Sequence, residues 1–325
     1  MPVTFGWFLS SEEYTPGQLV EQARLAEQAG FDALWISDHY HPWTNAQGQS
    51  PFVWSLIGAI GQVCDLPVTT AVTCPTVRIH PAIIAQAAAT SAALLGPGRF
   101  RLGLGSGEAL NEHIFGTVWP TADIRLEMLE EAVEVIRELW TGDVVSHRGP
   151  HYTVDTARIY TLPDSPPPIY LSAFGPKALE LAGRIADGFM STKPDAESVQ
   201  RFKQVKGSGA VTQVGFKAGW APTADEGIDH AHRLWPNSAV PGELSQVLPS
   251  PQHFEQVAEL VTRETIAESA TFGSDTGKHI DAFQPFLDAG FDEVYVANMG
   301  PHYAEMIAAY GSEVLPELRK GQSTA

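Results

Sequence analysis

The chain has 325 residues, 44% of them hydrophobic, which is enough to bury one large core. Its 38 acidic residues outnumber its 20 basic residues and give a formal net charge of −18, which argues against nucleic acids and anionic membranes as partners. Two cysteines are too few for a disulfide framework and show no metal-ligand spacing. The N-terminus has no signal-like segment, and no apolar run approaches the roughly 20 residues of a membrane span. We therefore expect a soluble, cytoplasmic protein.

Strand and helix signals alternate along the chain. Apolar runs predict eight strands, at residues 3–9, 33–37, 68–73, 100–104, 169–173, 188–191, 214–220 and 293–297. Helical spacing predicts helices at residues 16–30, 52–64, 81–95, 122–140 and 177–186. Continuously apolar strands are typical of a parallel sheet that is buried on both faces. We predict an α/β fold, a (β/α)8 TIM barrel forming a single domain over residues 1–325, with an open doubly wound sheet as the alternative.

Two insertions interrupt this alternation. Residues 141–168 contain a Gly-Pro pair and a proline-rich run, and they predict a small hairpin before the fifth strand. Residues 235–265 contain four prolines and form a longer insertion between the seventh and eighth strands. We expect these insertions at the C-terminal face of the barrel, where loops shape access for substrates.

The motif SDHYHPW at residues 37–43 closes the second predicted strand, at the end where barrel enzymes carry their catalytic residues. A histidine beside a carboxylate can act as a general base, because imidazole exchanges its proton near neutral pH. Asp38 and His39 could equally form a structural hydrogen bond. A zinc site that adds His41 is a weaker alternative, because no further ligand follows at a telling spacing, and we expect no metal. Trp43 could pack in the core or form the wall of a pocket for a ring.

A second acidic cluster, the motif GEALNE at residues 107–112, follows the fourth predicted strand. Glu108 lies beyond Gly103, Gly105 and Gly107, where the backbone can approach a ligand closely. The spacing does not match a dinucleotide fingerprint, because the continuing helix and the downstream acid are misplaced. The alternative is an ordinary first-turn glutamate that the helix dipole stabilises.

A third candidate lies at residues 175–177, where the motif GPK opens a helix directly after the fifth strand. Free backbone N–H groups, the positive end of the helix and the lysine together make a suitable phosphate site. An ordinary strand-to-helix turn is an equally open alternative. Lys193 could add positive charge, although solvation at the surface is the default for such a side chain.

Together these motifs resemble one known family. The motifs are the SDH triplet with Pro42 and Trp43, GEALNE at 107–112, FGP at 174–176 and ADGF at 186–189. They are similar to the motifs of the luciferase-like flavin and deazaflavin oxidoreductases. Within that family the chain resembles the F420-dependent glucose-6-phosphate dehydrogenase group, over nearly its whole length. The resemblance implies a luciferase-like barrel, a small-molecule substrate, the deazaflavin coenzyme F420 and a homodimer.

The resemblance also implies roles for particular side chains. His39 would be the base that takes a hydroxyl proton while hydride leaves the same carbon for the deazaflavin. Asp38 would orient the cofactor, and Trp43 would help to hold the charge that develops in the transition state. Glu108 would be the acid that protonates the reduced deazaflavin, with Glu12 as a nearby carboxylate.

Further positions would contact the cofactor. The bond between Ala71 and Val72 matches a cis peptide bond that backs the ring in this family. The residues implied to line the deazaflavin and its phosphate tail are Gly107, Asn111, Ser172, Ala173, Phe174, Gly175, Pro176 and Lys177.

The chain departs from the group at the positions that hold a sugar phosphate. Members that act on glucose 6-phosphate clamp it with basic side chains, and two of those positions carry Ser245 and Ser269 here. A third falls near Asp195, where Lys193 could substitute if the loop is shifted. A dianionic phosphate without paired bases is poorly held. We therefore expect hydride transfer to or from an alcohol, a ketone or an unphosphorylated sugar, and not glucose 6-phosphate.

Two other functions stay open. A monooxygenase of the same family would use reduced FMN and oxygen, but it would not require the proton-handling set of Asp38, His39, Trp43 and Glu108. A non-catalytic protein would bind F420 without turning over any substrate.

Overall fold

The computed structural model describes residues 2–322, which form a closed barrel of eight parallel strands surrounded by helices. The barrel strands are β1 (Thr4–Leu9), β2 (Ala33–Ile36), β3 (Val68–Thr70), β4 (Phe100–Leu104), β7 (Ile169–Ser172), β8 (Gly188–Ser191), β9 (Val211–Ala218) and β10 (Glu293–Asn298). A separate antiparallel hairpin consists of β5 (Val145–Arg148) and β6 (Thr153–Ala157). The order β1-β10-β9-β8-β7-β4-β3-β2 closes on itself, so the predicted TIM barrel is confirmed and the open sheet is excluded.

Helices connect the strands and cover the barrel. The first eight are α1 (Pro16–Ala29), α2 (Val53–Ile60), α3 (Pro81–Leu95), α4 (Ala109–Glu112), α5 (Ala122–Leu139), α6 (Pro176–Ile185), α7 (Ala196–Lys206) and α8 (Ala224–Leu234). The remainder are α9 (Leu244–Val247), α10 (Pro251–Ala258), α11 (Arg263–Ser269), α12 (Thr276–Asp281), α13 (Gln284–Asp288), α14 (Tyr303–Ala309) and α15 (Leu315–Gln322). Short 3-10 turns at His113–Phe115 and Pro236–Ala239 and a π-helical turn at Tyr310–Val314 complete the set. Among the described residues, no helix is long and apolar enough to cross a membrane.

Local sequence explains where the helices begin. Thr15 caps α1 with a capping box, because its hydroxyl accepts from the Gln18 backbone while the Gln18 side chain accepts from the Thr15 backbone. Pro16 occupies the first helical position, where the missing N–H has no cost. The apolar faces of the helices then bury against the outside of the strands, which is the main stabilising contribution to such a fold.

Side chains fill the interior of the barrel. Trp35 and Tyr295 stack with their ring centres 4.5 Å apart. Arg101 donates to both carboxylate oxygens of Glu293, at 2.8 and 2.6 Å, and Gln213 donates to the same carboxylate at 2.7 Å. Arg101, Gln213 and Glu293 therefore satisfy one another, and this part of the barrel is a packed core.

The two insertions reach the C-terminal face in different ways. The hairpin follows α5 and not a barrel strand, and its turn is held by Glu131, which accepts from the backbone of Tyr152 at 2.8 Å. Only its turn reaches the face, where the Tyr152 hydroxyl donates to the carbonyls of Pro75 and Thr76. The second insertion follows β9 and α8, and its helix α9 packs directly against α4 at the mouth of the barrel.

Candidate active site

Four loops meet at the C-terminal ends of β1 to β4 and carry the predicted catalytic carboxylates and imidazole, together with Asp38 and Asn111. They span residues 10–13, 37–43, 71–78 and 105–112. Hydrogen bonds and ion pairs connect these loops to one another through the side chains of Ser37, Asp38, Thr73, Arg78, Asn111 and Glu112.

His39 and Glu12 form a pair that can exchange a proton. Both are buried, and Nε2 of His39 lies 3.5 Å from Oε1 of Glu12. Oε2 of Glu12 accepts a hydrogen bond from the Ser37 hydroxyl at 2.7 Å. Burial alone would raise the pKa of Glu12, but His39, Lys217 and Ser37 outweigh it and lower this pKa below its ordinary value. Glu12 is therefore ionised at neutral pH and can stabilise a protonated His39.

The other ring nitrogen of His39 has two neighbours with opposite requirements. Nδ1 lies 3.1 Å from the carbonyl oxygen of His41, which accepts, and 3.2 Å from Nδ2 of Asn111, which donates. With its hydrogen on Nδ1, the neutral ring leaves Nε2 free to accept a proton. With the hydrogen on Nε2, the ring donates towards Glu12. The surroundings accommodate both tautomers, as a group that exchanges protons requires.

Asn111 connects His39 to Glu108. Its Oδ1 accepts from the backbone N–H groups of Tyr40 at 2.9 Å and His41 at 3.2 Å, which fixes the orientation of the amide. Its Nδ2 then faces His39 and also donates to Oε2 of Glu108 at 3.2 Å. The predicted base and the predicted acid thus share one amide group, and Asn111 positions both of them.

Asp38 belongs to a buried ion pair that sequence reasoning missed. Its Oδ1 accepts from Nη2 of Arg78 at 2.8 Å, and its Oδ2 accepts from the Thr73 hydroxyl at 2.7 Å. Arg78 also lies 3.5 Å from Glu112. Both oxygens of Asp38 are engaged, and no hydrogen bond to His39 is present in the described structure. Asp38 therefore fixes the loop that carries His39, which corrects the alternative of a structural Asp38–His39 hydrogen bond.

The donor atoms do not support the zinc alternative. Within residues 2–322, Asp38, His39 and His41 do not bring three ligand atoms within 4.8 Å of one another. Nδ1 of His41 instead lies 2.9 Å from the carbonyl oxygen of Leu110. His41 therefore helps to fix the loop after β4.

The glycines before Glu108 make room for neighbouring parts of the chain, and the approach of a ligand to them stays a prediction. A Cβ at Gly103 would lie 1.8 Å from the carbonyl oxygen of Thr70, and one at Gly107 would lie 2.4 Å from Sγ of Cys74. Gly107 also has a φ of +85°, which favours glycine. The loops after β3 and β4 can pack together only because these side chains are absent.

The peptide bond between Ala71 and Val72 is cis, as the resemblance implies. Val72 packs against the loop after β4, where a Cβ at Gly105 would lie 2.6 Å from its Cγ2. The geometry of this bond is confirmed, and its contact with a cofactor stays a prediction.

Trp43 is partly buried beside His39, with the two ring centres 5.0 Å apart. On its other side it contacts Phe254 of α10 edge-on, at 5.1 Å between centres. It also packs against a small apolar cluster that includes Trp235. Trp43 therefore lies between His39 and the second insertion, where it can form the wall of a pocket.

A partly buried cation lies beside Glu12, and the sequence analysis missed it. Lys217 of β9 has its Nζ 3.8 Å from the centre of the Trp235 ring. Burial lowers the pKa of Lys217, although Glu12 and Glu13 oppose this effect. Glu13 accepts from the indole N–H of Trp235 and from the backbone N–H of Gly300. Burial nevertheless raises the pKa of Glu13 to about 7.

The start of α6 has backbone N–H groups that can bind an anion, but Lys177 of the same turn is paired with Asp123. No side chain caps this helix, and a Cβ at Gly175 would meet only open space. Phe174 is exposed, and Ala173 is buried. The Lys177 ammonium group forms an ion pair with Asp123 at 2.7 Å. The backbone can therefore receive a phosphate, while Lys177 is engaged with α5.

The predicted specificity residues are spread around the barrel mouth. Lys193 is exposed in the loop after β8, and Asp195 caps α7. Ser245 is partly buried on α9, beside α4. Ser269 is exposed at the end of α11, where its hydroxyl donates to a carbonyl of its own helix.

A closed barrel with an imidazole and two carboxylates linked at its C-terminal face is the arrangement of a TIM-barrel enzyme. The family model described as luciferase-like monooxygenase matches residues 3–293, so the chain belongs to this family. The resemblance seen in the motifs is thereby confirmed at the level of the family.

Several relatives match almost the full length of the chain. A Microbacterium testaceum protein named F420-dependent glucose-6-phosphate dehydrogenase is 33% identical, over 98% of this chain and 98% of its own length. A Mycobacterium tuberculosis protein named F420-dependent hydroxymycolic acid dehydrogenase is 36% identical, over 97% of this chain and 88% of its own. The solved structure of an F420-dependent secondary alcohol dehydrogenase, in complex with an F420-acetone adduct, has a TM-score of 0.89 and 31% identity. That similarity covers 98% of this chain and 99% of the other.

Proposed function

We propose that this protein is an F420-dependent oxidoreductase that transfers hydride between the deazaflavin and an alcohol, a ketone or an unphosphorylated sugar. The observation that carries the proposal is the connected set Glu12, His39, Asn111 and Glu108, which can take up a proton and supply another within one site. Relatives that act on a sugar phosphate, a hydroxymycolic acid and secondary alcohols support the chemistry and the cofactor.

Two features of the site fit a deazaflavin with a phosphate tail. The first turn of α6 has backbone N–H groups without partners in the helix, and open space adjoins Gly175. Nε1 of Trp119 is buried without a hydrogen-bond partner among the described residues, and this ring lies next to Gly107. When bound, the deazaflavin supplies a ring carbon that accepts or returns a hydride.

The residues of the chain account for the protons. When an alcohol is oxidised, its carbon loses a hydride and its oxygen loses a proton. Nε2 of His39 takes this proton, and the ionised Glu12 stabilises the resulting imidazolium. Glu108 supplies the proton that the deazaflavin gains together with the hydride. Asn111 holds the Glu108 side chain beside His39. In the opposite direction each group reverses its part.

The charges around the site favour an uncharged substrate. Lys217 interacts electrostatically with the ionised Glu12, so its charge is already balanced. Ser245 and Ser269 replace two bases of a phosphate clamp and carry no charge. A dianionic sugar phosphate would therefore meet more acidic than basic groups here.

Binding and turnover together test the function. Purified protein is titrated with F420, FMN and NADP, and deazaflavin absorbance is then followed over a panel of alcohols, ketones and sugars. We expect tight binding of F420 and turnover of at least one uncharged substrate. Tight binding of FMN with none of F420 would overturn the proposal, and binding of F420 without turnover of any substrate would favour a non-catalytic protein.

The histidine has its own test. His39→Ala should abolish alcohol oxidation and leave F420 binding nearly unchanged, whereas His253→Ala, on the exposed face of α10, should change neither. Activity that survives in His39→Ala would show that this histidine is structural.

A gain of function tests the substrate class. Ser245→Lys combined with Ser269→Arg should introduce turnover of glucose 6-phosphate, and Ser245→Ala combined with Ser269→Ala should not. Efficient turnover of glucose 6-phosphate by the unmodified protein would contradict the proposed specificity.

The proposal extends to the assembly and location. We propose a cytoplasmic homodimer whose chains each fold as a single domain, and support for the dimer comes from the family resemblance. Light scattering should give twice the chain mass of 35.1 kDa. A monomer at micromolar concentration would remove the dimer from the proposal and leave the reaction untouched.

A further inference from the structure

We propose that the protein binds one divalent transition-metal ion of the zinc class between α8 and the start of α14, through Glu226, His230 and His302. The three ligand atoms lie within 4.8 Å of one another. Oε1 of Glu226 is 3.7 Å from Nε2 of His230 and 3.4 Å from Nε2 of His302. Bonds of about 2.0–2.1 Å to a tetrahedral zinc ion place its ligands about 3.4 Å apart. The observed separations therefore need little adjustment to receive such an ion.

The backbone brings these residues together without help from an ion. Glu226 and His230 are four residues apart on α8, so they share one face of the helix. His302 directly precedes α14. The connection is tight, because a Cβ at Gly300 would lie only 3.0 Å from Cβ of His230. Gly300 is itself held by its hydrogen bond to Glu13 at 2.8 Å.

Two observations distinguish this cluster from a chance surface group. Nε2 of His230 is buried without a hydrogen-bond partner in the described structure, although it faces the Glu226 carboxylate. Nδ1 of His302 lies 3.5 Å from a carboxylate oxygen of Glu305. A carboxylate behind a histidine commonly fixes the ring so that its other nitrogen can bind a metal. Glu226 is 43% exposed, so solvent can supply the fourth ligand.

A second group of donors in the described residues, Glu134, Glu138 and His147, provides the comparison. Nε2 of His147 lies 3.1 Å from Glu131, and, unlike Nε2 of His230, no donor atom of this group is buried without a hydrogen-bond partner in the described part of the chain. Glu131 in turn accepts from the backbone of the hairpin turn, so this group is a satisfied structural anchor. We expect no ion there.

An ion at the first cluster would tie α8 to the loop after β10. That loop holds Glu13 through Gly300, and Glu13 in turn holds Trp235. The metal would therefore be structural, and it would stabilise the substrate side of the barrel mouth without contacting the reacting atoms.

Titration with Co²⁺ and Zn²⁺ tests the site. Protein stripped with EDTA should bind one Zn²⁺ per chain by calorimetry, and Co²⁺ should give the intense visible absorption of a four-coordinate N,O site. Zinc should also raise the Tm by several degrees. Glu226→Gln and His302→Ala should lose the stoichiometric binding and the Tm shift, while circular dichroism and F420 binding show that the variants are folded.

His147→Gln is the matched control and should retain the bound ion. Loss of the ion in His147→Gln, with retention in His302→Ala, would place the metal at the other cluster and overturn the proposal. Weak binding of several ions, unchanged in every variant, would show adventitious binding only. The failure of this proposal would leave the proposed hydride transfer untouched, because none of its residues belongs to the proton-handling set.

Discussion

Nε2 of His39 lies 3.5 Å from Oε1 of Glu12, and the Ser37 hydroxyl holds the same carboxylate from its other oxygen. The Glu12 carboxylate is thus fixed where it faces Nε2 of His39, the atom that would gain a proton. This relationship makes Glu12 a partner of the base, although the family resemblance alone gave it no defined role.

Glu12→Gln should slow alcohol oxidation. The amide keeps the shape of the carboxylate but removes the charge that stabilises protonated His39. Two opposite unit charges about 4 Å apart attract one another by about 1–4 kcal/mol in a protein site, so we expect kcat to fall by about 10- to 100-fold. Steady-state kinetics with F420 measure the change. Glu259→Gln, on the exposed surface after α10, should have no effect, and an unchanged kcat in Glu12→Gln would show that the carboxylate does not act through His39.

Glu13 should make stability depend on pH. Burial raises its pKa from the ordinary value of 4.5 to about 7, so the folded protein retains a proton that the unfolded chain releases. This contribution is complete below pH 4.5 and is lost as the pH rises through about 7. The unmodified protein should therefore lose about 2–3 kcal/mol of its free energy of unfolding between pH 5 and pH 8 through this group, and Glu13→Gln should not. The difference between the variant and the unmodified protein should shift by this amount in favour of the variant. Urea unfolding at several pH values checks this, and a difference that does not vary with pH would contradict it.

Arg78→Met should destabilise the protein strongly. Arg78 pairs with Asp38 at 2.8 Å, and the two side chains are only 6% and 0% exposed. Removal of one partner leaves a buried carboxylate without compensation, which costs about 3–5 kcal/mol in urea unfolding. Arg184→Met is the matched control, because its ion pair with Glu130 is exposed and should contribute less than about 1 kcal/mol. Equal losses in the two variants would show that burial of the first pair has no energetic consequence.

Gly107→Ala should be more harmful than Gly116→Ala. Both glycines have a positive φ, +85° and +72°, so both substitutions introduce backbone strain of about 1 kcal/mol. A Cβ at Gly107 would also lie 2.4 Å from Sγ of Cys74, whereas one at Gly116 has no neighbour within 4 Å. Gly107→Ala should therefore lower the Tm further and also reduce F420 turnover. Equal Tm values would mean that the loop after β4 can move away from Cys74.

The barrel could be predicted because periodicity and turn residues act locally. Eight apolar runs and the glycine after α1 located the elements to within a few residues, and β9 began three residues earlier than expected, at Val211. The SDH and GEALNE motifs also identified His39, Glu108 and Asn111 as neighbours in one site. These features depend on short stretches of chain, so a single sequence contains them.

The partners of these residues could not be predicted, because they come from distant parts of the chain. Arg78 lies forty residues after Asp38 in the chain. Lys217, which helps to lower the pKa of Glu12, lies about 200 residues after it. The only signal for Lys217 was a lone cation within an apolar strand. The packing role of Gly103 and Gly107 could not be predicted for a similar reason, since the atoms nearest to an added Cβ belong to β3 and its loop.

The loops after β1 to β4 and the second insertion lie far apart in the sequence, and this has a consequence for how such an enzyme can acquire new substrates. The side chains proposed to handle protons lie in the loops after β1, β2 and β4, and the buried ion pair of Asp38 with Arg78 ties the loop that carries His39 to the loop after β3. Helices α9 to α11 form one contiguous segment that contacts the site through α9 against α4 and Phe254 against Trp43, and it carries the predicted specificity residues Ser245 and Ser269. Substitutions within this one segment can therefore change the substrate without altering the residues proposed for hydride transfer.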